Sequence, residues 1–158
     1  MKRVSLTTVV GALLLTLFAG VALAATINCA DRNGQNCRGT GESDQITGKQ
    51  SRDNINALGG NDTVNARGGN DEVNAGPGDD TVDGGDGDDT LQGSSGEDDI
   101  TGGDGRDDIF GGKNNDTIRA RDGHRDTIRC DGGNRDVAII DNKDVIVNRQ
   151  DCEDIRRP

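Results

Sequence analysis

The 158-residue sequence contains no tryptophan, no tyrosine, two phenylalanines, one methionine and one histidine. So few rings exclude an ordinary mixed core, in which aromatic side chains supply much of the buried area. Positive charge is scarce as well: 18 Lys and Arg face 29 Asp and Glu, a formal net charge of −11. Phosphate recognition needs a basic patch, so nucleic acid is excluded as a partner. With His124 alone and no CxxC spacing, a structural zinc set is not expected. The length allows a single domain. What remains is either a disordered acidic chain or a fold held by some device other than a large apolar core. The 25 glycines point to the second, because turns consume glycine.

One long apolar run does occur. Residues 1–24 read MKRVSLTTVVGALLLTLFAGVALA, with Lys2 and Arg3 before an apolar stretch and Ala22-Leu23-Ala24 at its end. That is the layout of a signal peptide cut after Ala24, in competition with an uncleaved anchor. We read the chain as exported, secreted or extracellular, with the cell surface possible and no membrane contact after cleavage. Cys29, Cys37, Cys130 and Cys152 all lie in the exported part, where disulfides persist. Four cysteines allow three connectivities. The nearest pairing is Cys29–Cys37 with Cys130–Cys152, one bridge at each end.

The dominant pattern is a period of nine. Ile46, Ile55, Val64, Val73, Val82, Leu91, Ile100, Ile109 and Ile118 follow one another without a slip. Two positions before each stands an aspartate: Asp44, Asp53, Asp62, Asp71, Asp80, Asp89, Asp98, Asp107 and Asp116. A helix would want apolar residues every three or four positions, so the pattern is not helical. One apolar residue between two polar neighbours suits a three-residue strand with its middle side chain turned inward. The remaining residues, rich in Gly, Asn and Asp, are turn chemistry. Two units then form one coil. Ile46, Val64, Val82, Ile100 and Ile118 make one row; Ile55, Val73, Leu91, Ile109 and Ile128 make the facing row. Aromatics are missing because a coil this thin has no room for them.

The same winding places Asp44, Asp62, Asp80, Asp98 and Asp116 on one edge and Asp53, Asp71, Asp89 and Asp107 on the other. Coils stack about 4.8 Å apart. At that distance two carboxylates repel by about 0.9 kcal/mol in water and by more in a drier site. A hard divalent cation between successive turns reverses the sign. Calcium suits best, since it takes six to eight oxygens in flexible geometry and glycine-rich turns expose carbonyls.

Two stretches match a known pattern in full: Gly84-Gly85-Asp86-Gly87-Asp88-Asp89-Thr90-Leu91-Gln92 and Gly102-Gly103-Asp104-Gly105-Arg106-Asp107-Asp108-Ile109-Phe110. Both read G-G-x-G-x-D-x-U-x, with U apolar. Over residues 39–119 the chain resembles the hemolysin-type, or repeats-in-toxin (RTX), calcium-binding proteins. The resemblance implies an all-β fold: a parallel β-roll, or β-solenoid, of two nonapeptides per coil, with disulfide-linked terminal caps. It also implies that Ca2+ is shared between turns one coil apart. The ligands would be Asp62, Asp71, Asp80, Asp89, Asp98, Asp107 and Asp116, with backbone carbonyls of the turns containing Gly76, Gly78, Gly85, Gly87, Gly93, Gly96, Gly103 and Gly105. Asp44 and Asp53 would be weaker, because Glu42 and Ser51 replace glycine at the fourth position of their turns. Family toxins and proteases usually leave the cell by a C-terminal signal and carry an enzyme domain; an N-terminal leader departs from that.

The expected organisation is a signal peptide at 1–24, an N-terminal cap at 25–41, the calcium-binding roll at 42–119, and degenerate repeats with a C-terminal cap at 120–158. Residues 25–112 carry 6 basic and 19 acidic side chains, whereas residues 113–158 carry 10 of each. After Asp116 the spacing stretches to Asp126 and Asp136, each preceded by an arginine, and Asp144 follows. This suggests Arg–Asp pairs in place of metal and a cap closed by Cys130–Cys152, since repeat stacks need atypical ends. An alternative gives Arg119, Arg121, Arg125 and Arg129 an acidic glycan to bind. No serine stands in a nucleophile-elbow context beside His124, and no enzyme is expected. The functional expectation is an exported calcium-binding β-roll that folds on the ion. The alternative is a calcium-scaffolded adhesive or glycan-binding module, whose outward row Thr63/Asn65, Thr81/Asp83, Asp99/Thr101, Thr117/Arg119 is interrupted by charge.

Overall fold

The computed structural model describes residues 24–29 and 36–158. The expected leader lies outside the described residues except for Ala24, and so does part of the expected N-terminal cap. The described residues form short strands and turns with no α-helix. In chain order the strands are β1 (Thr26–Asn28), β2 (Cys37–Arg38), β3 (Gln45–Thr47), β4 (Asn54–Asn56), β5 (Thr63–Asn65), β6 (Glu72–Pro77), β7 (Thr81–Asp86) and β8 (Thr90–Ser95). They continue with β9 (Asp99–Asp104), β10 (Asp108–Lys113), β11 (Thr117–Ala120), β12 (Thr127–Gly132), β13 (Val137–Ile140), β14 (Val145–Ile146) and β15 (Asp154–Arg156).

Odd-numbered strands β1 to β15 pair in sequence into one parallel sheet, and even-numbered strands β2 to β14 into another. Successive strands therefore alternate between two facing sheets, which is the winding of a solenoid. The register puts Ile46, Val64, Val82, Ile100 and Ile118 directly over one another, with Ile27 before them and Ala138 and Ile155 after. In the other sheet Cys37, Ile55, Val73, Leu91, Ile109, Ile128 and Ile146 are stacked. Both rows expected from the period of nine are present, and each extends beyond it.

The interior is wider than one aliphatic residue per strand. Strand alternation carries inward the aspartate two positions before the apolar residue and a small residue two positions after. Ala57, Ala66, Ala75 and Ala120 are at most 1% exposed, and Gly84 and Gly93 are buried at the same position. At the far end this position holds Cys130 and Ile140. Each coil is thus a thin slab in which aliphatic residues face one another at the middle and small ones at the corners.

Cys29–Cys37 links the end of β1 to β2, and Cys130–Cys152 ties β12 to the segment before β15. The second loop spans 22 residues, enough for about 3 kcal/mol by restricting the unfolded chain. Both bridges follow the nearest pairing. Among the described residues no helix is long and apolar enough to cross a membrane.

Candidate metal centre

Each aspartate of the repeat stands where a turn enters a strand, and its side chain points inward. Asp44, Asp53, Asp62, Asp71, Asp80, Asp89, Asp98, Asp107 and Asp116 are all at most 5% exposed. Their Oδ1 atoms are spoken for. Asp62 Oδ1 accepts the N–H of Asp44 at 2.7 Å, and the step repeats from Asp62 to Asp80, Asp80 to Asp98, and Asp98 to Asp116. On the opposite edge Asp53, Asp71, Asp89 and Asp107 are joined in the same way. The two edges expected from the sequence are therefore two continuous ladders of main-chain N–H groups and carboxylates, one rung per coil.

The second oxygen is different. Oδ2 of Asp62, Asp71, Asp80, Asp89, Asp98, Asp107 and Asp116 is buried and has no hydrogen-bond partner. A buried acceptor left unpaired costs about 1–3 kcal/mol, and more when charged. Asp44 and Asp53 escape this: Thr40 N–H reaches Asp44 Oδ2 and Lys49 N–H reaches Asp53 Oδ2, each at 2.6 Å. Lys49 Nζ also pairs with Asp53 at 2.9 Å.

Glycine decides what surrounds the unpaired oxygens. A side chain at Gly93 would collide with Asp98 Oδ2 and come within 2.6 Å of the Gly111 carbonyl oxygen one coil on. The absence of a side chain thus lets a carboxylate oxygen and a main-chain carbonyl both close in on the glycine. Three residues later Gly96 adopts φ +140° and lies against the Gly78 carbonyl oxygen. Gly76, Gly78, Gly85, Gly87, Gly103 and Gly105 share this left-handed backbone, each over a carbonyl of the preceding coil. Glu42 and Ser51, at the fourth turn position, are outside it.

The ladder is electrostatically strained without a cation. Burial, reinforced by neighbouring carboxylates, pushes Asp80, Asp107 and Asp116 up to about 7. Burial likewise lifts Asp89 and Asp98 to about 6. Asp62 and Asp71 also rise, again chiefly through burial. In every case the N–H received from the previous coil works the other way.

Among the described residues no three carboxylate, imidazole or thiol side chains converge on one point. Any cation here draws on carbonyls as well as carboxylates, an all-oxygen set that suits calcium. Softer donors are occupied: all four cysteines are in disulfides, and His124 Nδ1 lies 2.6 Å from Asp122 Oδ2.

The ladder continues through the aspartates expected as degenerate repeats. Asp107 N–H donates to Asp126, Asp126 N–H to Asp144, and Asp116 N–H to Asp136. Asp126 and Asp136 are 0% exposed and carry the same unpaired Oδ2. The expectation of Arg–Asp pairs replacing metal is corrected on this point. Arg125 and Arg135 pair with neither aspartate; the Arg–Asp ion pairs among the described residues are Arg119–Asp99 and Arg129–Asp108, between outward-facing residues of adjacent coils, and Arg156–Asp154 within β15. The preserved offset of two between aspartate and apolar residue (Asp126/Ile128, Asp136/Ala138, Asp144/Ile146) was the available signal.

Compared with known families, residues 38–73, 66–100, 83–118, 92–126 and 101–134 match the RTX calcium-binding nonapeptide repeat. No curated protein and no solved structure gave a match.

Proposed function

The chain belongs to the RTX calcium-binding nonapeptide-repeat family, and from that premise we propose that it is an exported protein whose folding is coupled to Ca2+ bound between its turns. The observation carrying this reading is the buried column of unpaired Oδ2 atoms, one per coil on each edge. The ligands we assign are Asp80 with Asp98 and Asp89 with Asp107 first, then Asp62 with Asp80, Asp71 with Asp89, and Asp98 with Asp116, completed by carbonyls of the intervening turns. Asp44 and Asp53 contribute least, because main-chain N–H groups already satisfy their outer oxygens.

The energetics favour coupling. A site held at tenfold over its dissociation constant adds about 1.4 kcal/mol. Five such sites add about 7 kcal/mol, comparable with the whole stability of a small domain. Inside a cell, where calcium is scarce, the chain stays loose and fit for export; outside, it winds and its disulfides form. The role is structural, and no substrate chemistry is assigned to it.

Calorimetry with Ca2+ titrated into chelated protein tests the coupling. Coupled winding gives a large favourable enthalpy and a strongly negative heat-capacity change, because apolar surface is buried as the ion binds. Binding heats without a heat-capacity change contradict it. Mass analysis of the secreted chain tests the export step, with Ala25 expected as its first residue.

A further inference from the structure

We propose a further site for a hard divalent cation between the turns at residues 111–116 and 130–136, with Asp116 and Asp136 as its carboxylate ligands. It rests on the calcium reading above and extends it to a turn that the nonapeptide motif does not describe. Asp136 lies beyond residue 134, where the family match ends.

The second turn is one residue longer than its counterparts, and so is the turn before Asp126 in the same coil, so that the two aspartates are 20 residues apart where regular coils use 18. The extra residue leaves the first part of the turn undisturbed. Gly112 stays in register with Asp131, and Lys113 with Gly132. Asn114 N–H donates to the Gly132 carbonyl at 2.9 Å, as Gly78 N–H donates to Ser95 in a regular turn. Gly133 lies against the Asn114 carbonyl oxygen, as Gly96 lies against that of Gly78, although without the left-handed φ of Gly96 and with the Asp136 carboxylate also close to it. Asp136 Oδ1 then accepts the Asp116 N–H at 2.8 Å. The insertion is absorbed by the exposed Asn134 and Arg135.

The oxygen donors survive with the register. Where a side chain at Gly93 would meet Asp98 Oδ2 and the Gly111 carbonyl, one at Gly111 would meet Asp116 Oδ2 at 2.6 Å and the Cys130 carbonyl at 3.0 Å. Cys130 has taken over the glycine's role as carbonyl donor. Asp116 and Asp136 are 1% and 0% exposed, and Oδ2 of each is buried without a partner. Arg135 does not neutralise Asp136, since no ion pair joins them.

The other edge supplies an internal comparison. There the lengthened turn before Asp126 sends the Asp122 carboxylate to the Gly105 N–H, where regular turns send a main-chain carbonyl, as Asp104 does to Gly87. Asp122 also takes the N–H and Nδ1 of His124. The donor pattern is rebuilt on that edge and kept on this one. Because the Cys130 carbonyl belongs to a disulfide-linked residue, the site is also tied to the Cys130–Cys152 bridge.

Crystals of the full secreted chain grown with terbium in place of calcium locate the ions by anomalous scattering. The expected map has a peak contacting Asp116 and Asp136 in addition to peaks in the central turns. Central peaks with none here overturn this inference and leave the calcium reading intact; no peaks anywhere overturn both. In solution, native mass spectrometry with calcium should count one ion fewer for Asp136→Asn, which keeps an acceptor for the Asp116 N–H. An unchanged count overturns the proposal. Unchanged circular dichroism in that variant confirms that the lost ion, and not lost folding, is being read.

Discussion

Asp98, just before β9, and Asp99, its first residue, are adjacent and carry the same charge, but Asp98 is buried and Asp99 half-exposed, so replacing each by asparagine separates the ladder from the surface. Asp98→Asn keeps an oxygen for the Asp80 N–H, which Asp98 now accepts at 2.9 Å. It removes the anionic character of the unpaired Oδ2. Asp98 is assigned to two ions, one shared with Asp80 and one with Asp116. At calcium tenfold above the dissociation constant, losing both costs about 2.8 kcal/mol. With a urea slope of about 2 kcal/mol per molar, the unfolding midpoint falls by roughly 1.4 M. Asp99→Asn removes only a half-exposed carboxylate paired with Arg119, a surface ion pair worth about 0–1 kcal/mol. Urea unfolding of both variants at the same free calcium is the assay. In chelator the sign reverses for Asp98→Asn, because the substitution removes a charge that burial opposes strongly enough to push Asp98 up to about 6. More of the β signal should then survive in the variant than in the parent. Equal midpoint shifts for the two variants in calcium would refute the reasoning, since one of the two aspartates would then have no ion to lose.

Acidity should substitute for calcium. Asp80, Asp107 and Asp116 are raised from 3.8 to about 7 in the folded chain, so proton uptake favours the wound state. In chelator the protonated ladder contributes stability fully below about pH 4, and that contribution is lost as pH rises through about 7. Circular dichroism in EGTA at pH 4 and pH 8 reads this; more structure at pH 8 would contradict it. With calcium present acid should instead weaken binding, because protons compete for the same oxygens. Arg67 has φ +77° at a turn position where Gly85 and Gly103 have +97° and +109°. Arg67→Gly should therefore stabilise the calcium form by roughly 1 kcal/mol, read as a raised melting temperature. A lowered one would show that the arginine side chain has a role in the turn.

The period of nine carried most of the fold because a solenoid repeats one local decision. Once Val64, Val82 and Ile100 face inward, strand geometry places everything between them. The corner layer of Ala57, Ala66, Ala75 and Gly84 escaped notice because alanine and glycine carry no apolar signal strong enough to stand out in a turn-rich sequence. Beyond residue 119 the sequence shows a degenerate continuation through Asp126, Asp136 and Asp144, but not that these aspartates stay in the ladder. Spacing was the criterion, and an inserted residue breaks spacing while the exposed tip of a turn absorbs it without disturbing Asp136. Asp44 and Asp53 were separated from the others on the missing glycines at Glu42 and Ser51. The structure adds that Thr40 and Lys49 N–H groups occupy the oxygens a cation would use, a contact that no sequence pattern announces.

The most direct test is far-UV circular dichroism of the disulfide-intact chain from Ala25 onward at pH 7.5, first in excess EGTA and then with calcium restored. Winding driven by the ion predicts that the β spectrum collapses in chelator and returns as calcium is added back. A full β spectrum that persists in EGTA would mean that the carboxylate ladders stack without a cation, and would contradict ion-driven winding.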